Sequence, residues 1–337
     1  MSREDFLSTS TESNAALCDA RIAVLGAGAV GSYFGGMLAR AGAQVTLIAR
    51  APHVEAIRRS GLLLDTTTFQ ERVKVEASTE VSAVRGADLV LFCVKTIDTE
   101  DAARLLAPHL TPSAIVVSMQ NGVDNVTRIC SATGIDALPA VVYIAAALPE
   151  PGHMKHSGRG DLTVGELPNI SRAAASPPRT ERVAALFTAA GVPCRVSPTI
   201  EIDLWTKMLM NCAGNALSGI AQTSFGHVAQ SFPVLTVLQR VIEETVSVAR
   251  ASGVPLPDED WAEKGRKNSE NLGEATSSMA QDIARGKRTE IDSLNGYIVR
   301  RGAELGIETP VSLTLTSLVK LIEETNAKRG RTAGTSR

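Results

Sequence analysis

Arg21-Ile22-Ala23-Val24-Leu25-Gly26-Ala27-Gly28-Ala29-Val30-Gly31 decides the fold of this 337-residue chain. A short apolar strand runs straight into G-x-G-x-x-G. Three glycines at that spacing allow a tight turn, a close backbone approach to a pyrophosphate, and tight packing of helix on strand. The phosphates would lie against the N–H groups that open the next helix, where the macrodipole favours negative charge. Gly26, Ala27, Gly28, Ala29, Val30 and Gly31 are therefore the expected dinucleotide cradle. A plain glycine-rich turn is the alternative reading of the motif alone.

The sequence beyond the glycines bears on which dinucleotide. Residues 32–41 continue as a helix, Gly42 ends it, and Gln44-Val45-Thr46-Leu47-Ile48 reads as the second parallel strand. An NAD-binding fold places an acid near the tip of that strand to hold the ribose 2′-hydroxyl. Here the tip reads Ile48-Ala49-Arg50. A carboxylate there would repel a 2′-phosphate, and a guanidinium can grip one through paired charge-assisted hydrogen bonds. Arg50 thus points to NADP(H), with Arg58 and Arg59 close behind; a solvated surface charge is the other reading.

Further along, the first half alternates apolar strands with helical stretches, the pattern of a doubly wound α/β sheet. Residues 87–94 and 114–119 are the third and fourth core strands, and 137–147 holds a fifth. Segments near 61–78, 153–165 and 192–197 read as shorter strands extending the sheet, some of them antiparallel. Ligands in such sheets bind beyond the carboxyl ends of the strands. That singles out Lys95 and Gln120-Asn121-Gly122.

Near residue 199 the strand signals stop and helical periodicity takes over. Lys207, Asn211 and Asn215 are spaced by four, so they stack along one helix face. Leu204, Met208, Leu209, Cys212, Ala213 and Ala216 fill the other faces, so the helix is expected to be buried. A buried ammonium without a partner is costly and its pKa falls, the condition for a general acid near neutral pH. A lysine at a domain edge paired with an acid fits the spacing equally well. Downstream, Ser277-Ser278 precedes a short helix that Gly286 breaks. Thr289-x-x-Asp292 then reads as a capping box, placing Glu290 in the first turn of a new helix, where dipole stabilisation alone would account for it.

Bulk properties exclude several classes. A net charge of −2 and a pI near 6.3 give no electrostatic case for nucleic acid or an anionic membrane surface. No apolar run reaches the roughly 18 residues of a spanning helix. Five cysteines occur without CxxC or zinc spacing, and His153 and His156 enclose no zinc motif. No metal is expected, and cytoplasm is the default location. Residues 1–19 are polar and lack a secretory pattern. They read as a disordered leader, and 327–337 as a similar tail.

Together GAGAVG at 26–31, CVK at 93–95, QNG at 120–122, KxxxNxxxN at 207–215 and SSMxQDxxxGxxTEID at 277–292 resemble the ketopantoate reductase family. The resemblance covers roughly residues 20–325. It implies a Rossmann-type NADP-binding domain (20–198), a helical substrate and catalytic domain (199–326), and an active site between them. It further implies reduction of a small 2-keto acid, 2-dehydropantoate, by NADPH, within pantothenate biosynthesis. Lys207 matches the family's general acid, and Glu290 the acid that holds the hydroxyl and orients the lysine. Asn211, Asn215 and Ser278 match substrate contacts. Asn121 matches the residue where cofactor and substrate meet, Lys95 the cleft lysine, and Arg50 a 2′-phosphate position. One departure is Phe225, where some members offer an asparagine to the substrate. Three readings stay open: reduction of ketopantoate; reduction of another 2-keto acid, or a β-hydroxyacid or imine-type dehydrogenase reaction; and a non-catalytic NADP(H) sensor. Oligomeric state is not legible, and a homodimer stays open.

Overall fold

A computed structural model describes residues 17–167 and 178–334. Most of the expected leader (1–16) and the last residues of the expected tail (335–337) lie outside the described residues. Within the described ends, Leu17 is buried and the last helix runs on to Gly334, past residue 327. The chain divides into two compact units, Met1–Gln120 with Asp124–Ile200, and Asn121–Val123 with Glu201–Arg337.

The first unit is built on a ten-stranded mixed sheet. The strands are β1 (Arg21–Leu25), β2 (Gln44–Ile48), β3 (Leu62–Asp65), β4 (Gln70–Val73), β5 (Glu76–Ser78), β6 (Leu89–Phe92), β7 (Ile115–Ser118), β8 (Leu138–Glu150), β9 (His153–Val164) and β10 (Cys194–Val196). Their spatial order is β4-β3-β9-β8-β7-β6-β1-β2-β5, with β10 on β9. From β5 to β8 every pairing is parallel. Counted along the chain, those six strands lie in the order 3-2-1-4-5-6, the Rossmann arrangement. The innermost strands β6 and β7 are buried at all four positions, as a sheet covered on both faces requires.

The remaining strands differ from the sequence expectation in length and direction. β8 and β9 are long, with 13 and 12 residues, and pair antiparallel through three register shifts. β3–β4 is antiparallel as well, whereas β5 and β10 join their neighbours in parallel. β4 and β5 stand at opposite ends of the strand order, yet only Lys74 and Val75 separate them in sequence. Two extended residues plus their junctions span on the order of 10 Å, so the sheet must curl back on itself into a half-barrel.

Helix α1 (Ala29–Arg40) shows the consequence of that curl. Its residues Gly31–Leu38 are buried without interruption. A helix buried on every face must be enclosed, and the curled sheet encloses it. Phe34 and Leu38 share one apolar cluster with Val24 of β1, Leu47 of β2, Leu64 of β3 and Leu162 of β9. Around the sheet lie α2 (Ala51–Ser60), α3 (Thr99–Leu106), α4 (Asn125–Thr133) and α5 (Arg179–Ala189).

The second unit is helical: α6 (Ile200–Ala221), α7 (Phe225–Gln230), α8 (Phe232–Ala251), α9 (Trp261–Leu272), α10 (Ser278–Ala284), α11 (Asn295–Leu305) and α12 (Pro310–Gly334). Met208, Leu209, Cys212, Ala213 and Ala216 of α6 are at most 1% exposed and pack in one cluster with Leu238, Val241, Ile298 and Val319. The Glu244 carboxylate on α8 caps α12 by accepting from the Val311 and Ser312 N–H groups at 2.7 and 2.8 Å. No described helix is long and apolar enough to cross a membrane.

The turn after β1 depends on Gly26. Its φ is +89°, and a Cβ there would lie 2.7 Å from the Val94 backbone nitrogen. Both strain and collision fall on backbone that cannot yield. Gly26→Ala is expected to destabilise the protein by about 2 kcal/mol or more in urea unfolding; an unchanged midpoint would contradict this placement.

Candidate functional site

The site residues expected from the sequence fall into two groups, one to each unit. In the first, the three glycines of the β1–α1 turn divide the labour physically. Gly26 lets the turn pass against the chain leaving β6. A Cβ on Gly31 would stand 2.7 Å from a Val24 methyl, so its absence sets how closely α1 packs on β1. A Cβ on Gly28 would meet nothing nearer than Gly26 O at 3.9 Å. The backbone at Gly28 is therefore open to a ligand, and no side chain caps the helix that starts there. A pyrophosphate fits this cradle, with open backbone at Gly28 and an uncapped helix N-terminus.

The loop is braced from behind. Ser32 Oγ donates to Ala27 O at 3.3 Å, and His53 Nε2 lies 3.1 Å from Ser32 Oγ. On its other side the ring accepts from Gly152 N–H at Nδ1, 2.9 Å away. Nδ1 is thus unprotonated, and the single ring hydrogen resides on Nε2, aimed at Ser32. Sequence reading passed over this chain, because a lone histidine inside α2 carries no motif.

Arg50 sits where the sequence reading placed it, exposed at the N-cap of α2 just past β2. Arg58 is engaged elsewhere, its Nε donating to Ala77 O at 3.0 Å. Lys95 is exposed just after β6, at the N-cap of a 3-10 turn over Thr96–Asp98. Beside it lies a buried polar knot. Gln120 accepts from Ser118 Oγ at 3.0 Å and donates to Val94 O at 3.1 Å and to Thr99 Oγ1 at 2.8 Å. This knot ties the ends of β6 and β7 together at the edge where α/β sheets bind ligands.

In the second unit the KxxxNxxxN stripe lies along α6 as its spacing predicts. Lys207 Nζ donates to Asn121 Oδ1 at 2.8 Å, and Asn121 Nδ2 donates to Glu290 Oε2 at 3.0 Å. One amide bridges an ammonium and a carboxylate. Its orientation follows from chemistry, since a flip would set donor against donor and acceptor against acceptor. Lys207, Asn121 and Glu290 are all partly buried, so these charge-assisted bonds are shielded from water yet not sealed off.

Asn211 and Asn215 continue the same face. Asn215 is 7% exposed, and its backbone oxygen accepts from Ser277 Oγ at 3.1 Å. Ser277 also caps α10 through Ala280 N–H, while its own N–H donates to Ser218 Oγ. These bonds pin the start of α10 to α6 and place Ser278, itself exposed, one residue from Asn215's anchor. Phe225 is not a surface substitution: it is 8% exposed, and its ring edge fills the space a Cβ on Gly214 would take, 2.8 Å away.

One local expectation fails. Thr289 and Asp292 form no capping box, and Glu290 is not in a helix's first turn. Glu290 is the N-cap of a 3-10 turn over Ile291–Ser293 ahead of α11. Thr289 Oγ1 accepts from Ile291 N–H instead, and Asp292 pairs with Lys320 at 2.7 Å. Ion pairing to a neighbouring helix outcompetes the local cap. Among the described residues no group of histidines, cysteines and acids could hold a metal ion.

A Rossmann-type unit with an open glycine cradle, and a helical unit with a lysine, an amide and a carboxylate in series, define a two-part oxidoreductase architecture. The comparisons make the assignment specific. Residues 22–169 match the model of the ketopantoate reductase PanE/ApbA family, and 199–323 match the model of its C-terminal part. The chain belongs to that family. It is 35% identical over 308 residues to 2-dehydropantoate 2-reductase of Halobacterium salinarum, covering 90% of this chain and 99% of the relative. Among solved structures it resembles a PanE/ApbA family ketopantoate reductase from Ralstonia eutropha, with 48% identity, TM-score 0.84, and 91% and 99% of the two chains covered. It also resembles a D-mandelate dehydrogenase solved with NADH and anilino(oxo)acetate, with 25% identity, TM-score 0.83, and 91% and 99% covered.

The His53 chain predicts a pH dependence. Burial pushes the ring's pKa below its ordinary 6.5. The unfolded chain therefore binds the proton first as pH falls, and the folded state loses stability below about 6.5 until the folded value is passed. His53→Gln keeps a donor and an acceptor without titrating. Urea unfolding between pH 7 and 5 should show a shallower loss of stability in this variant than in wild type; parallel slopes would contradict the assignment.

Proposed function

We propose that this protein reduces 2-dehydropantoate to pantoate with NADPH, in the cytoplasm. Family membership supports the reaction class, and the Lys207–Asn121–Glu290 chain is the observation that carries the chemistry. NADPH, when bound, supplies a hydride to the keto carbon. As the carbonyl oxygen gains charge, Lys207 gives it a proton, and the preorganised ammonium stabilises the developing alkoxide. Asn121 fixes the direction of the lysine, and Glu290 accepts from the hydroxyl that forms. Asn211, Asn215 and Ser278 hold the substrate, with Ser278 toward its carboxylate. Lys207 and Lys95 supply positive charge for an anionic 2-keto acid.

The residues of the β1–α1 turn, Gly26 to Gly31, hold the pyrophosphate, with Lys95 and Asn121 as further cofactor contacts. Arg50 grips the 2′-phosphate, which favours NADPH over NADH.

A second reading, reduction of another 2-keto acid by the same chemistry, is favoured by Phe225. An apolar ring there offers no hydrogen bond to pantoate's distal hydroxyl. Steady-state oxidation of NADPH over a panel of 2-keto acids separates the two. The first reading predicts the highest kcat/KM for 2-dehydropantoate; a higher value for an acid lacking the distal hydroxyl selects the second. In either case Lys207→Ala is expected to lower kcat by about 10²- to 10⁴-fold. Arg50→Ala should weaken NADPH by about 10- to 100-fold and leave NADH unchanged; an unchanged ratio of the two removes Arg50 from the site.

A further inference from the structure

Glu290 is carried by a segment with little apolar anchorage. Residues 284–288 are exposed, Gly286 turns at φ +64°, and of the residues flanking Glu290 only Ile291 is buried. Beside the buried Ile291, polar contacts hold this stretch in place. Four hydrogen bonds to it come from a row of three residues on α12. Lys320 Nζ donates to Asp292 Oδ1 at 2.7 Å. Glu323 Oε1 accepts from both Thr289 N–H, at 2.7 Å, and Thr289 Oγ1, at 2.6 Å. Asn326 Nδ2 donates to Ile283 O at 3.2 Å.

Residues 320, 323 and 326 are spaced by three and so share a helix face. Along that face they hold the segment at its start, beside Glu290 and just after it. The central contact is the strongest in kind, a carboxylate accepting two donors from one residue. It also propagates: with Thr289 Oγ1 fixed, that oxygen accepts from Ile291 N–H at 3.2 Å. The amides on both sides of Glu290 are thereby set.

We propose that Lys320, Glu323 and Asn326 are positioning residues that hold Glu290 at Asn121, with Glu323 dominant. The last helix of the chain thus tunes the Lys207–Asn121–Glu290 chain without touching it. This rests on the reading of Lys207 and Glu290 as the reacting pair.

The test compares wild type with Glu290→Gln, Glu323→Ala, Glu323→Asp, Glu323→Gln and the exposed neighbour Glu324→Ala. Kinetics use NADPH and 2-dehydropantoate; hydrogen exchange follows the Thr289 and Ile291 amides and needs no turnover. Glu323→Ala and the shorter Glu323→Asp are expected to lower kcat about 10- to 100-fold, as a small misplacement of a catalytic group does, with the KM for NADPH unchanged. They should also speed exchange at both amides. Glu323→Gln, which keeps an accepting oxygen at the same reach, restores most of kcat, and Glu324→Ala behaves as wild type. If Glu323→Ala fails to fold, Glu323→Asp carries the comparison. Wild-type kcat and exchange in Glu323→Asp, with Glu290→Gln impaired, overturn the positioning role. Wild-type kcat in Glu290→Gln instead overturns the reading on which it rests.

Discussion

A partly buried ammonium and a partly buried carboxylate held apart by one amide form the constraint around which the helical unit is organised. Lys207 and Glu290 in direct contact would neutralise one another and bury the proton between them. With Asn121 interposed at 2.8 and 3.0 Å, each charge keeps a polar partner. Such a chain tolerates little slack. The lysine rides on α6, whose Met208, Leu209, Cys212, Ala213 and Ala216 are at most 1% exposed. Ser277 and Ser218 pin α10 to that helix, and α12 braces the segment that carries Glu290.

The first unit solves a different problem, that of keeping a bare backbone loop rigid. In the proposed function the loop holds phosphates through its N–H groups, and side chains on the ligand side cannot also hold it. Its support comes from beneath and behind: Gly26 against the chain after β6, Gly31 against β1, and the Ser32–His53 chain at Ala27. Helix α1, buried throughout its centre by the curled sheet, anchors the far end. The half-barrel curl thus serves the loop as well as the core.

Much of this was legible in the sequence, and the reasons are local. The strands β1, β2, β6 and β7 are short apolar runs, and β2 spans the residues expected of it. The roles of the glycines follow from their spacing, and the lysine stripe follows from the helical period. What was not legible depends on partners distant in the chain. Asn121 lies 86 residues from Lys207 and 169 from Glu290, and no spacing rule connects them. Thr289 and Asp292 match a cap pattern locally, but Glu323 and Lys320 compete for them and win. The row Lys320, Glu323 and Asn326 carries no motif that marks it in the sequence. The curl of the sheet was hidden because β4 and β5, adjacent in sequence, pair with strands at opposite ends.

The most direct test of the account is single-turnover hydride transfer from NADPH to 2-dehydropantoate, followed in wild type and in Lys207→Ala with both ligands saturating. A lysine that protonates the developing alkoxide predicts transfer in wild type and a transfer step slowed by at least about 100-fold in the variant. Equal transfer rates in the two proteins would contradict it.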